Sequence, residues 1–517
     1  MRRREFLLGS TAATVLAACS APRPPSTGTL IRTDTGSIQG YVVDGIHRFL
    51  GIPYAEPPFG ENRFLPPVPR KKWLDTLDAA NYGLICPQTG GQAAGQGAEG
   101  EDSLNLNVWT PDPAAKGLPV MVWVHGGGQV TGSGTEPLYD GTNFARDGVV
   151  LITNNRRLGA EGYLYLPELF GDGIGTGNLG ILDQIEVLRW VQRNAERFGG
   201  DPNNVTLFGE SGGGAAIQAL VAHPDAKGLV HRVILQSGGH AAQRSDSATN
   251  IARVVLDKMG IQPGDLDTLR RTPWSEFPKH YTALQESAFG TPQAYLPVIS
   301  EQMPYHPVDA CEQGLGADLD YLIGTCRDEM NLFDAFPGDA GTARFRERQN
   351  TVFNVAGISQ EQVRQAYRTA RSELDSDELD LAIMGDIWFR VPSIRIAETH
   401  AKQKRSKTYV YLFAWESQFL GAAHAMDILV FGNGVPFGML AGFRDEEEFA
   451  QKMRTSWVNF AKFGDPSQTH FNWPTFSSED RWTAILDDNF SLKEDLYKPQ
   501  RKAMTTLFTK SWTELGI

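Results

Sequence analysis

The sequence predicts an α/β fold, a mostly parallel central sheet flanked by helices, with large loop and helix insertions. Three observations carry that expectation. Short, nearly continuous apolar runs recur at Leu118–Val124, Val149–Thr153, Val205–Phe208, Arg232–Gln236, Asp318–Gly324 and Lys407–Phe413. Such runs mark strands that are covered on both faces. Between two of them Leu182, Ile185, Leu188 and Val191 recur at helical spacing, with Asp, Gln, Glu and Arg interleaved. Finally, Val205–Phe208 passes through a glycine-rich turn straight into a small-residue helix start, Gly214-Ala215-Ala216-Ile217. Strand–helix alternation of this kind winds a parallel sheet wrapped by helices.

The chain has 517 residues, 41% of them hydrophobic and 21% charged, with a formal net charge of −13. This composition describes a globular protein with a substantial core. No Lys/Arg-rich block is present, which argues against nucleic acid as a partner. No repeat of solenoid or propeller period occurs. Beyond the N-terminus no apolar run reaches the length of a membrane span.

The first residues read as an address. Arg2-Arg3-Arg4-Glu5-Phe6-Leu7-Leu8 looks like a twin-arginine export signal, and the apolar run Phe6–Ala18 that follows is too short to span a membrane. Leu16-Ala17-Ala18-Cys19 resembles a bacterial lipobox, which makes Cys19 a candidate lipidation site; a plain cleaved signal is the alternative. The expected organisation is a signal with lipobox over 1–19, a Pro/Ser-rich tether over 20–28 and one domain over 29–517. The expected location is the periplasm or cell envelope, with the membrane reached only through an anchor on Cys19. Of the four cysteines, Cys86, Cys311 and Cys326 remain. That is no disulfide framework, and no internal disulfide is expected.

The segments around Phe49–Phe64 and Lys71–Gln88 are rich in Pro and Gly and read as irregular covering structure. Gly90–Gly100 reads as a flexible loop. After the strand Leu118–Val124 comes His125-Gly126-Gly127-Gly128, where consecutive glycines let backbone N–H groups point into a site without obstruction. This matches the H-G-G-G oxyanion loop of esterases and lipases. Gly127 and Gly128, with Gly212, are the expected donors to a negative oxygen, while His125 reads as structural.

Gly209-Glu210-Ser211-Gly212-Gly213 then has the strand–turn–helix context of a G-x-S-x-G nucleophile elbow. Alone the pattern competes with an ordinary Gly-rich turn, since the chain has 54 glycines. Serine is a weak nucleophile at neutral pH and needs a base, usually a histidine oriented by a carboxylate. Glu329 follows the strand Asp318–Gly324, with Asp328 beside it as the competing acid. His424 lies in Gly421-Ala422-Ala423-His424-Ala425, a small-residue loop after Lys407–Phe413 that suits a ring approaching another loop closely. The order Ser211, Glu329, His424 is the α/β-hydrolase order.

With these segments in place the chain resembles the type-B carboxylesterase family, the cholinesterase/lipase group. The matching segments include Phe49–Ala55, Glu101–Val108, Gly177–Gln184, Phe198–Pro202, Trp457–Ala461 and Trp473-Pro474. The resemblance implies Ser211 as nucleophile, Glu329 as acid and His424 as base. It implies Gly127, Gly128 and Gly212 as oxyanion donors, Glu210 beside the imidazolium and Ser237 in a supporting role. It also implies ester hydrolysis through an acyl-enzyme, on a small-molecule ester, with no metal or cofactor. A lipase for long-chain lipids and a non-catalytic binding homologue are the alternatives. Several positions depart from the family pattern. Ser103 replaces a cysteine, which leaves Cys86 without its usual disulfide partner. Gln129 stands where an aromatic residue is common, which puts the acyl pocket in doubt. N-Y-R-L-G has become Asn155-Arg156-Arg157-Leu158-Gly159. No tryptophan follows Cys86 in the segment where cholinesterases bind quaternary ammonium, so a choline site there is not expected.

Overall fold

The computed structural model describes residues 28–88, 95–238, 242–280, 294–335, 340–442 and 444–512. The expected export signal, Cys19 and the tether up to residue 27 lie outside the described residues, as do positions 90–94 of the Gly90–Gly100 loop.

An eleven-stranded sheet organises the chain. Its strands are β1 (Tyr41–Val43), β2 (Ile46–Pro53), β3 (Asn105–Thr110), β4 (Leu118–Val124), β5 (Val150–Asn154), β6 (Gly200–Glu210), β7 (Arg232–Gln236), β8 (Asp320–Cys326), β9 (Thr408–Phe413), β10 (Thr483–Leu486) and β11 (Ser491–Lys493). In space they run β11-β10-β9-β8-β7-β6-β4-β5-β3-β2-β1. From β10 across to β5 every neighbouring pair is parallel. The pairs β5–β3, β3–β2, β2–β1 and β10–β11 are antiparallel.

The six apolar runs all become parallel strands, and the reason is visible in the packing. On β4, Val120, Val122 and Val124 enter one core while Met121 and Trp123 enter the other. On β7, Val233 and Leu235 face one way and Ile234 the other. Both faces are dry, so the period-two alternation of a half-exposed sheet disappears from the sequence.

One reading needs correction. The Phe49–Phe64 segment is not irregular throughout, because β2 pairs with both β1 and β3. Its register shifts between Phe49 and Ile52, where Gly51 takes φ +68° and donates its N–H to Asn107 Oδ1 at 2.9 Å. A bulge built on glycine and a strand that ends on Pro53 break the pattern by which a strand is recognised. Within 71–88 the chain is irregular as expected, apart from the two-residue strand Leu77–Asp78.

Helices cover both faces. The predicted amphipathic segment forms α1 (Leu179–Asn194). Not all of its interleaved polar residues lie on a solvated face: Arg189 and Arg193 are exposed, but Asp183 and Gln184 are buried. Asp183 receives the Arg157 guanidinium at 2.7 Å, and Gln184 Nε2 donates to Asn154 Oδ1. The first ties the helix to the segment after β5 and the second to the last residue of β5, and removing one partner of the buried ion pair costs about 3–5 kcal/mol. Helix α2 (Gly212–Val221) follows β6 directly. Between β8 and β9 lies a helical insertion, with α3 (Ala340–Ala356), α4 (Gln360–Ala370), α5 (Ser376–Gly385) and α6 (Val391–Gln403). Helices α5 and α6 are joined by a wide π-turn, Asp386–Arg390. Helix α7 (Glu447–Phe463) packs against β4 and β6.

Three loops therefore leave the same edge of the sheet. They follow Val124 of β4, Glu210 of β6 and Cys326 of β8, and the loop after β9 joins them. Carboxyl ends of parallel strands are where an α/β fold gathers reactive groups.

Candidate active site

Ser211 sits between β6 and α2 with φ +52° and ψ −121°, a conformation that side-chain-bearing residues rarely take. Its N–H donates to the Gln236 carbonyl at 2.8 Å, which ties the turn to the end of β7. The surrounding glycines are required by close approach. A Cβ at Gly213 would lie 2.0 Å from the Val124 carbonyl, and one at Gly209 would lie 2.5 Å from the same oxygen. A Cβ at Gly212 would meet the backbone N of Gly128 at 2.8 Å and that of Gln129 at 3.2 Å. The elbow and the loop after β4 are thus packed backbone against backbone.

The loop after β4 turns on Gly127 and Gly128, at φ +91° and +59°. The Gly127 carbonyl accepts from Val130 N and Thr131 N, closing the turn. His125 is buried beneath it, with Nδ1 3.0 Å from the Gly126 carbonyl. Burial, and secondarily the Arg156 cation, holds this imidazole well below its ordinary pKa. The ring belongs to the packing of the loop itself, in keeping with the structural reading of the sequence.

The structure brings the three distant side chains together. His424 Nε2 lies 2.8 Å from Ser211 Oγ, and His424 Nδ1 lies 2.6 Å from Glu329 Oε2. The other oxygen of Glu329 accepts from Cys326 N at 2.8 Å and from Ser237 Oγ at 2.6 Å. Ser237, itself at φ +48°, is therefore a buried prop for the acid. Asp328, the competing acid, does something else. It binds Arg327 at 2.7 Å, its N–H donates to the Ala422 carbonyl, and its Oδ2 accepts from Ala422 N. It fastens the histidine loop and points away from the ring. That loop needs its small residues, since Ala422 and Ala423 are fully buried and Gly421 and Ala425 both take φ +67°.

The electrostatics around the ring are dominated by carboxylates. Glu210 Oε1 is 3.2 Å from His424 Nε2, and Asp427 lies close by with Tyr411 donating to its Oδ2 at 2.8 Å. Burial works to lower the pKa of His424, but Glu210 and Glu329 outweigh it and hold the ring above its ordinary value. Burial raises Glu210, with His424 opposing, and burial also raises Asp427. The cluster thus retains a proton that separate carboxylates would release.

Three contributors escape a reading of the sequence. Phe333 and Phe389 pack against the His424 ring, tilted by 37° and 38° with centroids at 5.1 and 4.6 Å, and Asp427 adds buried charge. Phe389 comes from the π-turn in the helical insertion, which nothing local in the sequence links to the histidine. The family-based remark on Cys86 has a structural counterpart. Its thiol, pushed up to about 12 by burial, donates to Ser103 Oγ at 3.2 Å, in place of a disulfide. Cys86, Cys311 and Cys326 are all free and buried. Among the described residues no cluster of His, Cys, Asp or Glu is arranged to hold a metal ion.

Comparison with known proteins agrees with this architecture. The model of the carboxylesterase family matches residues 27–504. Para-nitrobenzyl esterase of Bacillus subtilis is 35% identical over 492 residues, covering 92% of this chain and 98% of that protein. Phenmedipham hydrolase of Pseudarthrobacter oxydans is 32% identical over 503 residues, covering 92% and 99%. A crystal structure of a Geobacillus stearothermophilus carboxylesterase superposes with a TM-score of 0.82 at 34% identity, covering 92% of this chain and 100% of the other. The chain belongs to the carboxylesterase family, has the α/β-hydrolase fold, and is a carboxylic-ester hydrolase.

Proposed function

We propose that Ser211, His424 and Glu329 hydrolyse a small-molecule ester through an acyl-enzyme. The observation that supports this reading best is the unbroken relay Ser211 Oγ–His424 Nε2 at 2.8 Å and His424 Nδ1–Glu329 Oε2 at 2.6 Å. Glu329 fixes the tautomer with the proton on Nδ1, so Nε2 is free to accept the serine proton. Ser211 attacks the ester carbonyl, and the N–H groups of Gly127, Gly128 and Gly212 face the resulting oxyanion. The imidazolium, held between Glu329 and Glu210, then returns its proton to the departing alcohol. Water repeats the sequence on the acyl-enzyme and releases the acid. The scheme uses no metal or cofactor.

The two named relatives act, by their names, on a para-nitrobenzyl ester and on phenmedipham. Para-nitrophenyl and para-nitrobenzyl esters of short acids are therefore the first substrates to try, with long-chain esters to separate an esterase from a lipase. Ser211→Ala should remove about 10⁶ in kcat and all covalent labelling by a phosphonate probe while the melting temperature stays near that of the parent. Retained turnover would mean that the nucleophile is misassigned. The reading extends to the cell envelope through the Arg2–Leu8 and Leu16–Cys19 patterns. Cys19→Ser should move the protein from the membrane fraction to the soluble periplasm, and unchanged fractionation would favour a plain cleaved signal.

A further inference from the structure

The loop after β4 ends at a residue whose surroundings are unusual. Gln129 is buried at φ +66°, a left-handed conformation that favours glycine. Three contacts hold it there. Its main-chain oxygen accepts from Gly159 N at 2.7 Å, Nε2 donates to the Gly212 carbonyl at 2.6 Å, and Oε1 accepts from Arg156 Nη2 at 3.1 Å. Arg156 is fully buried too, and among the described residues its Nε and Nη1 have no hydrogen-bond partner. A guanidinium can only donate, so it must face the amide oxygen. That choice turns the amide nitrogen toward Gly212. The cation thereby fixes the one orientation of Gln129 that can reach the elbow.

We propose that Gln129, oriented by Arg156, is a positioning residue that clamps the two halves of the oxyanion pocket together; this rests on the acyl-transfer reading above. Gly127 and Gly128 come from the loop after β4, and Gly212 from the turn after β6. Their backbones approach so closely that a single added Cβ would collide. Gln129 belongs to the first loop by its backbone and to the second by its side chain, so it sets the spacing between them. Among the described residues Arg156 has no carboxylate partner, and a buried charge of that kind is costly to a fold. Its position at this joint, rather than at a surface, is what a device for holding donors in place requires.

The test uses the full chain, para-nitrophenyl acetate, and an aryl trifluoromethyl ketone, whose serine adduct needs the oxyanion pocket as the transition state does. Gln129→Met should lower kcat by about 10- to 100-fold, with KM within about threefold and the ketone's inhibition constant rising in parallel. Gln129→Glu keeps a partner for Arg156 but sets an oxygen against the Gly212 carbonyl, and it should lose as much. It is near-isosteric and decides the matter if the Met variant fails to fold. Arg156→Met should lose less, and the double variant Arg156→Met/Gln129→Met should be no worse than Gln129→Met alone. A folded Gln129 variant whose kcat and inhibition constant both stay within about twofold overturns the clamp, and so does a fall in kcat with unchanged inhibition. If the ketone does not inhibit the unaltered enzyme, the acyl-transfer reading fails first and the clamp with it.

Discussion

Ser211 stands between two kinds of construction. On the imidazole side the groups are acidic, with the carboxylates of Glu210, Glu329 and Asp427 gathered in burial around one histidine. The oxyanion side is built of groups of another kind. There are backbone N–H groups, an amide and a guanidinium. The difference separates two properties that are often discussed together. In the proposed mechanism both sides set the size of the rate, because one moves the proton and the other holds the charge that its movement creates. On that proposal the dependence on pH is expected to come from the imidazole side.

The largest effects should come from breaking the imidazole side at its acid. Glu329→Gln leaves the hydrogen bond from Ser237 a carbonyl oxygen to use but disturbs the choice of tautomer, and about 10⁴ should be lost from kcat. Asp328→Asn, one residue away, should change kcat by less than about tenfold, because Asp328 holds Ala422 rather than the ring. Kinetics of the two variants side by side decide the assignment, and the reverse result would make Asp328 the acid. Next in size is the oxyanion side. Gly212→Ala forces a Cβ to within 2.8 Å of Gly128 N, so the two donor segments must part. The expected loss is about 10² to 10³ in kcat, the value of one oxyanion donor, with the acid limb of the pH profile where it was. A shift of that limb would show that the two sides are not separable.

How much of this could be read beforehand follows the same division. The parallel strands were legible because burial on both faces leaves an unbroken apolar run, and the elbow because glycine is demanded at positions where a Cβ strikes a carbonyl. His424 stood out among ten histidines by its alanines, and those alanines turn out to be buried against the loop's neighbours. Strand β2 was hidden by its glycine bulge. Phe389 was hidden more deeply, since a π-turn in an inserted helical segment has no local mark of what it will cover. Gln129 and Arg156 were each visible as departures from a family pattern. That they answer one another, 27 positions apart, depends on how the loops after β4 and β5 converge. Sequence shows a residue type that local backbone demands; it conceals a contact between loops that only the sheet order creates.

The smallest expected effect is the sharpest probe of the division. Glu210 lies 3.2 Å from His424 Nε2 and is the strongest of the charges that raise the ring. In the proposed mechanism the base must be neutral to accept the serine proton, so activity is expected above the ring's pKa and should be lost as pH falls through it. Glu210→Gln removes a negative charge from beside the imidazolium, and the pKa falls. The acid limb of kcat/KM should therefore move to lower pH, by about one pH unit for a close buried charge. The plateau rate should fall at the same time, by about tenfold, because the imidazolium formed in the transition state loses the same stabilisation. Gln129→Met should lower the plateau by a similar factor and leave the limb in place. Two variants of comparable activity with different pH profiles would set the imidazole side apart from the oxyanion side by measurement. An acid limb that stays fixed in Glu210→Gln, or moves to higher pH, would mean that the proton on the cluster does not answer to Glu210, and that the charge felt by the ring comes from Glu329 and Asp427 alone.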